Sequence, residues 1–225
     1  DVNNFIEIKK LSFKHKENLE FIFENLYAKF EKNKIYYLSG TSGIGKTTFF
    51  DLLIGLLSPI KGEFYSDSNK FDAYRNSYWQ SKICHIPQNS LLTDASILEN
   101  VAYGLDLKQI NMEGVKNAFK IAEIENLIKN SENGFNTIIG DRGLKISGGE
   151  RQRLTIAKAI YANKDIYLFD EATNAIDEET EMKIYENLRN TLKNKIIILI
   201  SHNDKVQQIC DHVYEIKNKK IEILK

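Results

Sequence analysis

The stretch GTSGIGKTT, residues 40–48, constrains the fold of this chain more than any other feature. It fits the pattern G-x-x-x-x-G-K-[ST] and lies between a short apolar run, IYYL at 35–38, and the helix-patterned run KTTFFDLLIGLL. Glycines let a loop wrap closely round phosphate groups, the helix N-terminus presents unpaired N–H groups, and the lysine adds positive charge. The strand–loop–helix context therefore predicts a phosphate-binding loop inside an α/β domain.

We expect the residues of this loop to contact the phosphates of a nucleotide. Lys46 supplies the charge, and Thr47 can place its hydroxyl on a Mg²⁺ ion, which prefers oxygen ligands. The predicted phosphate-binding residues are Gly40, Thr41, Ser42, Gly43, Gly45, Lys46, Thr47 and Thr48.

A second chemical signal stands at the end of an apolar run. In IYLFDEAT, residues 166–173, a predicted strand leads directly to Asp170 and Glu171. Asp170 can serve as a direct or water-mediated ligand of Mg²⁺, and Glu171 can accept a proton from an attacking water. By itself, an Asp-Glu pair after a strand is more often a helix cap or a first-turn acid. Combined with the loop, the pair favours a site that hydrolyses a nucleotide.

Apolar runs and helix-patterned segments alternate along the chain, and this predicts an α/β fold with a mostly parallel sheet covered on both faces. The predicted strands are FIEIKKLSF, LEFIFENLYAKF, IYYL, KICHIP, DIYLFDEAT and KIIILISH, and HVYEIKNKKIEIL is a predicted hairpin. The predicted helices are KTTFFDLLIGLL, which we expect to stop at Ser58-Pro59, then SILENVAYGL, NMEGVKNAFKIAEIENLIKN, RQRLTIAKAIYAN and TEMKIYENLRNTLKN.

Composition narrows the classes of function. Lys+Arg and Asp+Glu number 31 each, so the charge balance gives no support to a general nucleic-acid binder. Cys84 and Cys210 lie far apart without a metal-ligand spacing, which favours a reduced intracellular protein. No apolar run approaches the ~20 residues of a membrane-spanning helix. The start, DVNNFIEIKK, has neither an initiator Met nor a signal peptide, so we expect a fragment of a longer protein or a processed one.

The stretch ISGGERQR, residues 146–153, decides between nucleotide-binding families. Two glycines stand just before a predicted helix, although glycine costs roughly 1 kcal/mol relative to alanine inside one. Bare N–H groups and a hydroxyl at the mouth of a helix suit a phosphate. Nucleotide binding alone leaves kinases, GTPases, motors and transporters open.

The segments GTSGIGKTT, IPQN, ISGGERQR, LFDEATNAID and LISH, in this order, resemble the nucleotide-binding domain of ATP-binding cassette (ABC) proteins across essentially the whole chain. The resemblance implies that Ser147, Gly148 and Gly149 cap the γ-phosphate of an ATP held by a partner domain. Two copies would then close head to tail around two ATP molecules. It also implies a P-loop NTPase core with an N-terminal antiparallel β subdomain at residues 1–87 and 162–225, and an inserted helical subdomain at about 88–161.

The resemblance further assigns roles to single residues. The implied catalytic residues are Glu171 as the base, His202 as the switch histidine, Lys46 and Gln88. The implied Mg²⁺ ligands are Thr47, Gln88 and Asp170. Asp177 would link the two sites of the dimer. A lone Gln in a loop, or a lone His after a strand, is by default a surface or core residue, but here each falls at the expected place in the chain.

Three positions depart from the family pattern. The signature begins with Ile146 rather than Leu and ends with Glu150 rather than Gln. The third departure is His15, which replaces the usual aromatic that stacks on adenine and is implied as an ATP contact; Phe13 is two residues before it on the same strand face. Imidazole offers less π surface than phenol. Two interpretations of His15 stay open, a stacking residue or an exposed bystander.

Two segments resemble exporter-type cassettes. They are TIIGDRGLKISGGE, which leads into the signature and contacts coupling helices of membrane domains in exporters, and LLTDASILENVAYG. The implied parent is a half-transporter with transmembrane domains fused before this cassette, working as a homodimer at the cytoplasmic face of the inner membrane. The TDASI segment resembles flippase-like exporters, which implies a lipid-type cargo, while peptide, drug and lipid-linked oligosaccharide stay open.

Two alternatives come from other classes. A soluble ABC ATPase that acts on nucleic acid or ribosomes would carry two cassettes or a long coiled coil, and this chain has neither and no net charge. A small-molecule kinase would have no use for ISGGERQR. We therefore expect ATP and Mg²⁺ as cofactors and no nucleic-acid partner.

Overall fold

The computed structural model describes residues 2–17 and 19–225, so Asp1 and Asn18 of the predicted unit lie outside the described residues. The described strands are β1 Phe5–Phe13, β2 Phe23–Glu31, β3 Lys34–Ser39, β4 Lys61–Ser66, β5 Asn69–Phe71, β6 Ile83–Ile86, β7 Ile166–Asp170, β8 Ile196–Ile200, β9 His212–Lys217 and β10 Lys220–Ile223. The described α-helices are α1 Lys46–Ile54, α2 Ser77–Ser81, α3 Ile97–Val101, α4 Met112–Ile121, α5 Glu125–Lys129, α6 Gly148–Ala162 and α7 Glu178–Thr191.

The larger sheet has the strand order β10-β9-β3-β8-β7-β6. Its inner pairs are parallel, and β10 returns antiparallel to β9 through the predicted hairpin. Strands β7 and β8 are buried at every position, as expected where both faces of a parallel sheet are covered. The predicted α/β class with a mostly parallel sheet is confirmed.

The smaller sheet is antiparallel, with the order β2-β1-β4-β5. Its inner face packs on α1 through a cluster that includes Phe23, Phe30 and Phe49. The predicted antiparallel N-terminal strands are thus present, although β2 begins at Phe23 and not at Leu19. Strands β4 and β5 and helix α2 were not predicted.

The segment between β6 and β7 is mainly helical and contains α3 to α6. The helical stretch predicted over residues 111–130 contains two helices, because the chain breaks between α4 and α5. Glu123 adopts a left-handed conformation with φ of 53°, and Arg153 Nη1 donates to its carbonyl at 2.6 Å. Among the described residues, no helix is long and apolar enough to cross a membrane.

Helix α1 ends earlier than predicted. It stops at Ile54, and Gly55 follows with φ of 81°, a conformation in which glycine has no steric penalty. A Cβ at Gly55 would lie 1.8 Å from the carbonyl oxygen of Ala73, so no other residue fits. The predicted stop at Ser58-Pro59 is wrong because this glycine contact ends the helix first.

Candidate functional site

Several of the predicted functional residues lie together at the carboxyl edge of the larger sheet. Strand β3 leads into the loop at 40–45, β7 ends at Asp170, and His202 follows β8. Because β3, β7 and β8 are parallel neighbours, their carboxyl ends meet at one edge. The fold thereby brings to one place three motifs that are distant from one another in the sequence.

The phosphate-binding loop keeps the N-terminus of α1 open. Gly45 precedes the helix with φ of 111°, and no side chain caps the first turn. A Cβ at Gly45 would lie 2.6 Å from Ile22 Cγ2. The first-turn N–H groups therefore stay available to an anion. Thr41, Ser42 and Gly43 form the exposed tip of the loop, and Thr48 is half-buried in α1.

Lys46 lies folded across this loop. Its Nζ donates to the carbonyl oxygens of Gly40 at 2.8 Å and Thr41 at 3.2 Å. An ammonium group has three donors, so these two bonds hold it at the loop without exhausting it. The arrangement places a fixed positive charge beside the open end of α1.

Thr47 and Asp170 meet across the same edge. Thr47 Oγ1 donates to Asp170 Oδ1 at 3.3 Å, and the Asp170 side chain is only 10% exposed. Two adjacent oxygen donors fit Mg²⁺, which takes one or two protein oxygens and completes its shell with water and phosphate. The described residues contain no group of three or more His, Cys, Asp or Glu side chains placed to hold a metal, and this kind of site does not need one.

Glu171 and His202 are in direct contact. His202 Nε2 lies 3.1 Å from Glu171 Oε2, and Asn174 Nδ2 donates to the same oxygen at 3.2 Å. Glu171 has a left-handed backbone with φ of 52°, and its N–H donates to the carbonyl of Ile200 at 3.0 Å. The left-handed conformation is unfavourable for a residue other than glycine, and this hydrogen bond helps to hold it. The structure thus brings the two predicted catalytic side chains together.

The signature residues lie at the start of α6. Ser147 is its N-cap and shares a reciprocal capping box with Glu150: Ser147 N donates to Glu150 Oε2 at 2.8 Å, and Glu150 N donates to Ser147 Oγ at 3.2 Å. Gly148 and Gly149 therefore belong to the first helical turn. In the part of the chain that the structure describes, no hydrogen bond joins Ser147 to Lys46 or Thr47.

Helix α6 is also hydrogen-bonded to the segment that follows β7. The N–H of Ala175 donates to Gln152 Oε1 at 2.7 Å, and a Cβ at Gly149 would lie 2.9 Å from the carbonyl oxygen of Ala175. Asp177, at the end of this segment, caps α7 by accepting from Thr180 N at 2.9 Å. Those hydrogen bonds from Thr180 hold the pKa of Asp177 below its usual range. The signature and Asp177 are thus mechanically connected.

Gln88 follows β6 by two residues. It lines a groove of about 930 Å³ between the end of β6 and the start of α6. Leu91, Tyr103 and Leu144 line the same groove and are 69%, 63% and 75% exposed. The predicted role of Gln88 as a metal ligand stays a prediction.

His15 presents an exposed imidazole ring, whereas Phe13 is buried. The two rings pack edge to face with centroids 5.0 Å apart. An exposed ring supported by a buried one is free to stack on a planar ligand. His15 is thus the more accessible of the two rings, and its role as a stacking residue stays a prediction.

Sequence reasoning missed Glu181, a buried carboxylate on α7. Its oxygens accept from Thr173 Oγ1 at 2.5 Å, Ser201 Oγ at 2.9 Å and Asn203 Nδ2 at 2.8 Å. The carboxylate thus connects the segment after β7 to the segment that carries His202. A signal was present, because Glu181 shares the apolar face of α7 with the buried residues Ile184, Tyr185 and Leu188.

Comparison with known proteins finds a matching family and similar relatives. The sequence model of a family described as "ABC transporter" matches residues 23–174. Multidrug resistance protein pgp-1 of Caenorhabditis elegans is 36% identical over 195 residues, which cover 86% of this chain and 15% of the relative. Alpha-hemolysin translocation ATP-binding protein HlyB of Escherichia coli O157:H7 is 31% identical over 202 residues, which cover 90% of this chain and 28% of the relative.

A solved structure is similar as well. It is described as the structure of a bacterial Atm1-family ABC exporter with ATP bound, and it matches with a TM-score of 0.88 and 28% identity. The match covers 97% of this chain and 38% of that one. This chain therefore spans less than two-fifths of the length of the three proteins compared.

Proposed function

This chain belongs to the ABC transporter family, and from that premise we propose that it is the ATP-binding and ATP-hydrolysing domain of an exporter. The sequence-based resemblance to this family is confirmed. The observation that carries the proposal is the convergence of Lys46, Asp170 and Glu171 at one edge of the larger sheet. The alternative, a soluble ABC ATPase acting on nucleic acid or ribosomes, is not supported, because the similar proteins are exporters and translocators.

In this proposal the loop at 40–48 holds the triphosphate of ATP. The open N-terminus of α1 and the Lys46 ammonium group offset the phosphate charge. Thr47 and Asp170, with Gln88 as a third ligand, would hold Mg²⁺, which neutralises charge that develops on the phosphate oxygens. His15 would stack on the adenine ring.

Glu171 acts as the base that accepts a proton from the attacking water. Its contact with His202 and Asn174 restricts the carboxylate to one orientation. His202 is 68% exposed at its side chain, so its ring is accessible to a ligand, and in this proposal it contacts the γ-phosphate. The Glu181 hydrogen bonds keep the segments on either side of this pair together.

A second copy of the chain completes each site. Within the described residues Ser147 makes no hydrogen bond to Lys46 or Thr47 of its own chain, and we propose that Ser147, Gly148 and Gly149 contact ATP bound to the other copy in a head-to-tail dimer. Asp177 would lie at the interface, because it is exposed and follows the segment held by α6.

The second partner is the transmembrane part of a longer protein. The groove with the exposed side chains Leu91, Tyr103 and Leu144 offers an apolar docking surface for it. In this proposal residues 88–161 form a helical subdomain that carries both groove and signature, and the cassette works at the cytoplasmic face of the inner membrane. A lipid-type cargo stays a prediction, because membrane-domain surfaces outside this chain select the cargo.

The Glu171→Gln variant tests the catalytic assignment. It keeps the shape of the side chain but removes the base, so ATP hydrolysis should fall by roughly two or more orders of magnitude. ATP affinity measured by calorimetry should persist, and with ATP a dimer should accumulate on a sizing column. The exposed Glu179→Gln variant is the matched control and should keep the parent rate. Hydrolysis at nearly the parent rate in Glu171→Gln would assign the base elsewhere.

The shared site has its own test. Because Lys46 and Ser147 serve one ATP from opposite copies, specific ATPase activity should rise with protein concentration. The measurement is the steady-state rate per chain over a wide dilution series. A rate per chain that does not change with dilution contradicts the head-to-tail dimer.

A further inference from the structure

His85 lies beside the proposed Mg²⁺ ligand Asp170, but no established role accounts for it. It is on β6, next to β7, and its Nε2 lies 3.8 Å from Asp170 Oδ2. Its ring packs edge-on against Phe50 of α1, with centroids 6.2 Å apart. Within the described residues, Nε2 is buried and has no hydrogen-bond partner.

An unpartnered buried ring nitrogen is costly, because it gives up its hydrogen bonds to water without replacement. Native proteins rarely keep such a group without a reason. An apolar side chain at this position would pack against Phe50 just as well and avoid the cost. The nitrogen therefore points to a partner that it meets in another arrangement of the site.

Asp170 is the partner within reach. Its Oδ1 already accepts from Thr47 Oγ1 at 3.3 Å, while its Oδ2 faces His85 Nε2. The carboxylate is thus flanked by two possible donors, one for each oxygen. The distance of 3.8 Å is just beyond a hydrogen bond, and a small rotation of the carboxylate closes it.

We propose that His85 is a positioning residue for Asp170. Its Nε2–H donates to Oδ2 when Asp170 faces the nucleotide-bound metal, and this bond fixes the plane of the carboxylate. The neutral ring with its proton on Nε2 is a sufficient donor. Residues that orient a metal ligand in this way contribute strongly to metal affinity. The inference rests on the proposed function, because it assigns His85 to the same metal site.

The test uses two variants of matched length, His85→Gln and His85→Met. Gln keeps an N–H donor near the position of Nε2, and Met does not. Calorimetry gives the dissociation constant of a non-hydrolysable ATP analogue with a chelator and again with Mn²⁺. The constant with the chelator divided by the constant with Mn²⁺ is the ratio that reports the metal contribution alone. The parent and His85→Gln should show the same ratio, and in His85→Met the ratio should fall by roughly tenfold.

A purely structural role for His85 would change both constants together and leave their ratio unchanged. An unchanged ratio in His85→Met, or an equal loss in both variants, overturns the proposal. Thermal unfolding supplies a second readout: His85→Met should be at least as stable as the parent, because it removes the unpartnered nitrogen. A large loss of stability in His85→Met but not in His85→Gln would show that Nε2 is already paired, and this also overturns it. Failure of the parent to bind the analogue would instead contradict the proposed function.

Discussion

Helices α1 and α6 both begin at a motif of glycines and hydroxyl side chains, but their N-termini are built differently. Gly45 leaves α1 without a side-chain cap, so its first N–H groups are open and Lys46 lies beside them. At α6, Ser147 and Glu150 satisfy each other in a capping box. The first N–H groups of α1 are free to bind an anion, whereas those of α6 are already partly hydrogen-bonded by the capping box.

The difference teaches how one chain can carry a phosphate-binding loop at α1 and a second, proposed phosphate contact at α6 that does not compete with it. The open end of α1 attracts phosphate by itself, because charge and free donors are both present. At α6, Glu150 adds a negative charge next to the donors. Burial alone would raise the pKa of Glu150, but hydrogen bonds from Ser147 outweigh it and hold the pKa below the ordinary 4.5. The α6 end therefore suits a phosphate that a second copy has already bound.

The largest expected effect separates the two ends by ATP binding. Lys46→Met removes the charge at α1 and should weaken ATP binding by a dilute, monomeric chain by roughly 100-fold, the scale of two charge-assisted hydrogen bonds. Ser147→Ala at α6 should leave that affinity nearly unchanged. Calorimetric titration compares them, and a comparable loss in both variants would remove the distinction between the ends.

The next effect concerns the glycines. Gly45→Ala places a Cβ 2.6 Å from Ile22 at a left-handed φ and should lower the free energy of unfolding by about 2 kcal/mol. Gly148→Ala places a Cβ 3.5 Å from Ala175 Cβ and 3.7 Å from Arg151 Nη2, both ordinary contacts, and should stay within about 0.5 kcal/mol of the parent. Urea unfolding of both variants measures the contrast. Equal free energies of unfolding for the two variants would mean that both helix N-termini tolerate an added Cβ equally well.

A smaller effect isolates the cap. Ser147→Ala removes the N-cap of α6 and should cost about 1 kcal/mol of stability, whereas α1 has no side-chain cap to lose. Ser42→Ala, at the exposed tip of the phosphate-binding loop, is the control and should change little. The same urea titration applies, and a stable Ser147→Ala variant would show that the box does not hold the helix end.

The smallest effect depends on pH. Glu150→Gln retains a capping box but not the charge, and at pH 7 the parent should be more stable by roughly 0.3–0.5 kcal/mol after solvent screening. Since the folded pKa of Glu150 is lowered, this advantage is complete above the unfolded value of 4.5 and disappears as pH falls through the folded value. Unfolding curves at pH 7 and near pH 3 test it, and a difference that persists at low pH would contradict the assignment.

The same contrast explains what the sequence predicted well. The loop at 40–48 is contiguous, and its strand and helix neighbours follow directly in the chain, so local pattern alone located it. The apolar runs of β7 and β8 are buried throughout, and they placed Asp170 at the sheet edge. The capping box of Ser147 and Glu150 also joins residues that are close in the sequence. It was not predicted, because the two glycines between them were interpreted as part of a phosphate site.

The features that escaped prediction depend on distant segments. Glu181 meets Thr173 and Ser201 only after β7 and β8 pair beside α7. His85 reaches Asp170 only because β6 lies next to β7. The break at Glu123 requires a left-handed glutamate held by Arg153, and propensity rules do not foresee a glutamate there.

The hydrogen bond between Gln152 and Ala175 couples any movement of α6 to the segment that follows β7. The helix has 15 residues and is therefore roughly 22 Å long. A rotation of about 10° around its end at Ala162 would move Ser147 by roughly 4 Å, more than the length of a hydrogen bond. Because Ala175 is attached near the moving end, it must travel with the helix, and Asp177 follows two residues later. A slight tilt of one helix would thus displace two residues of the proposed dimer interface at once.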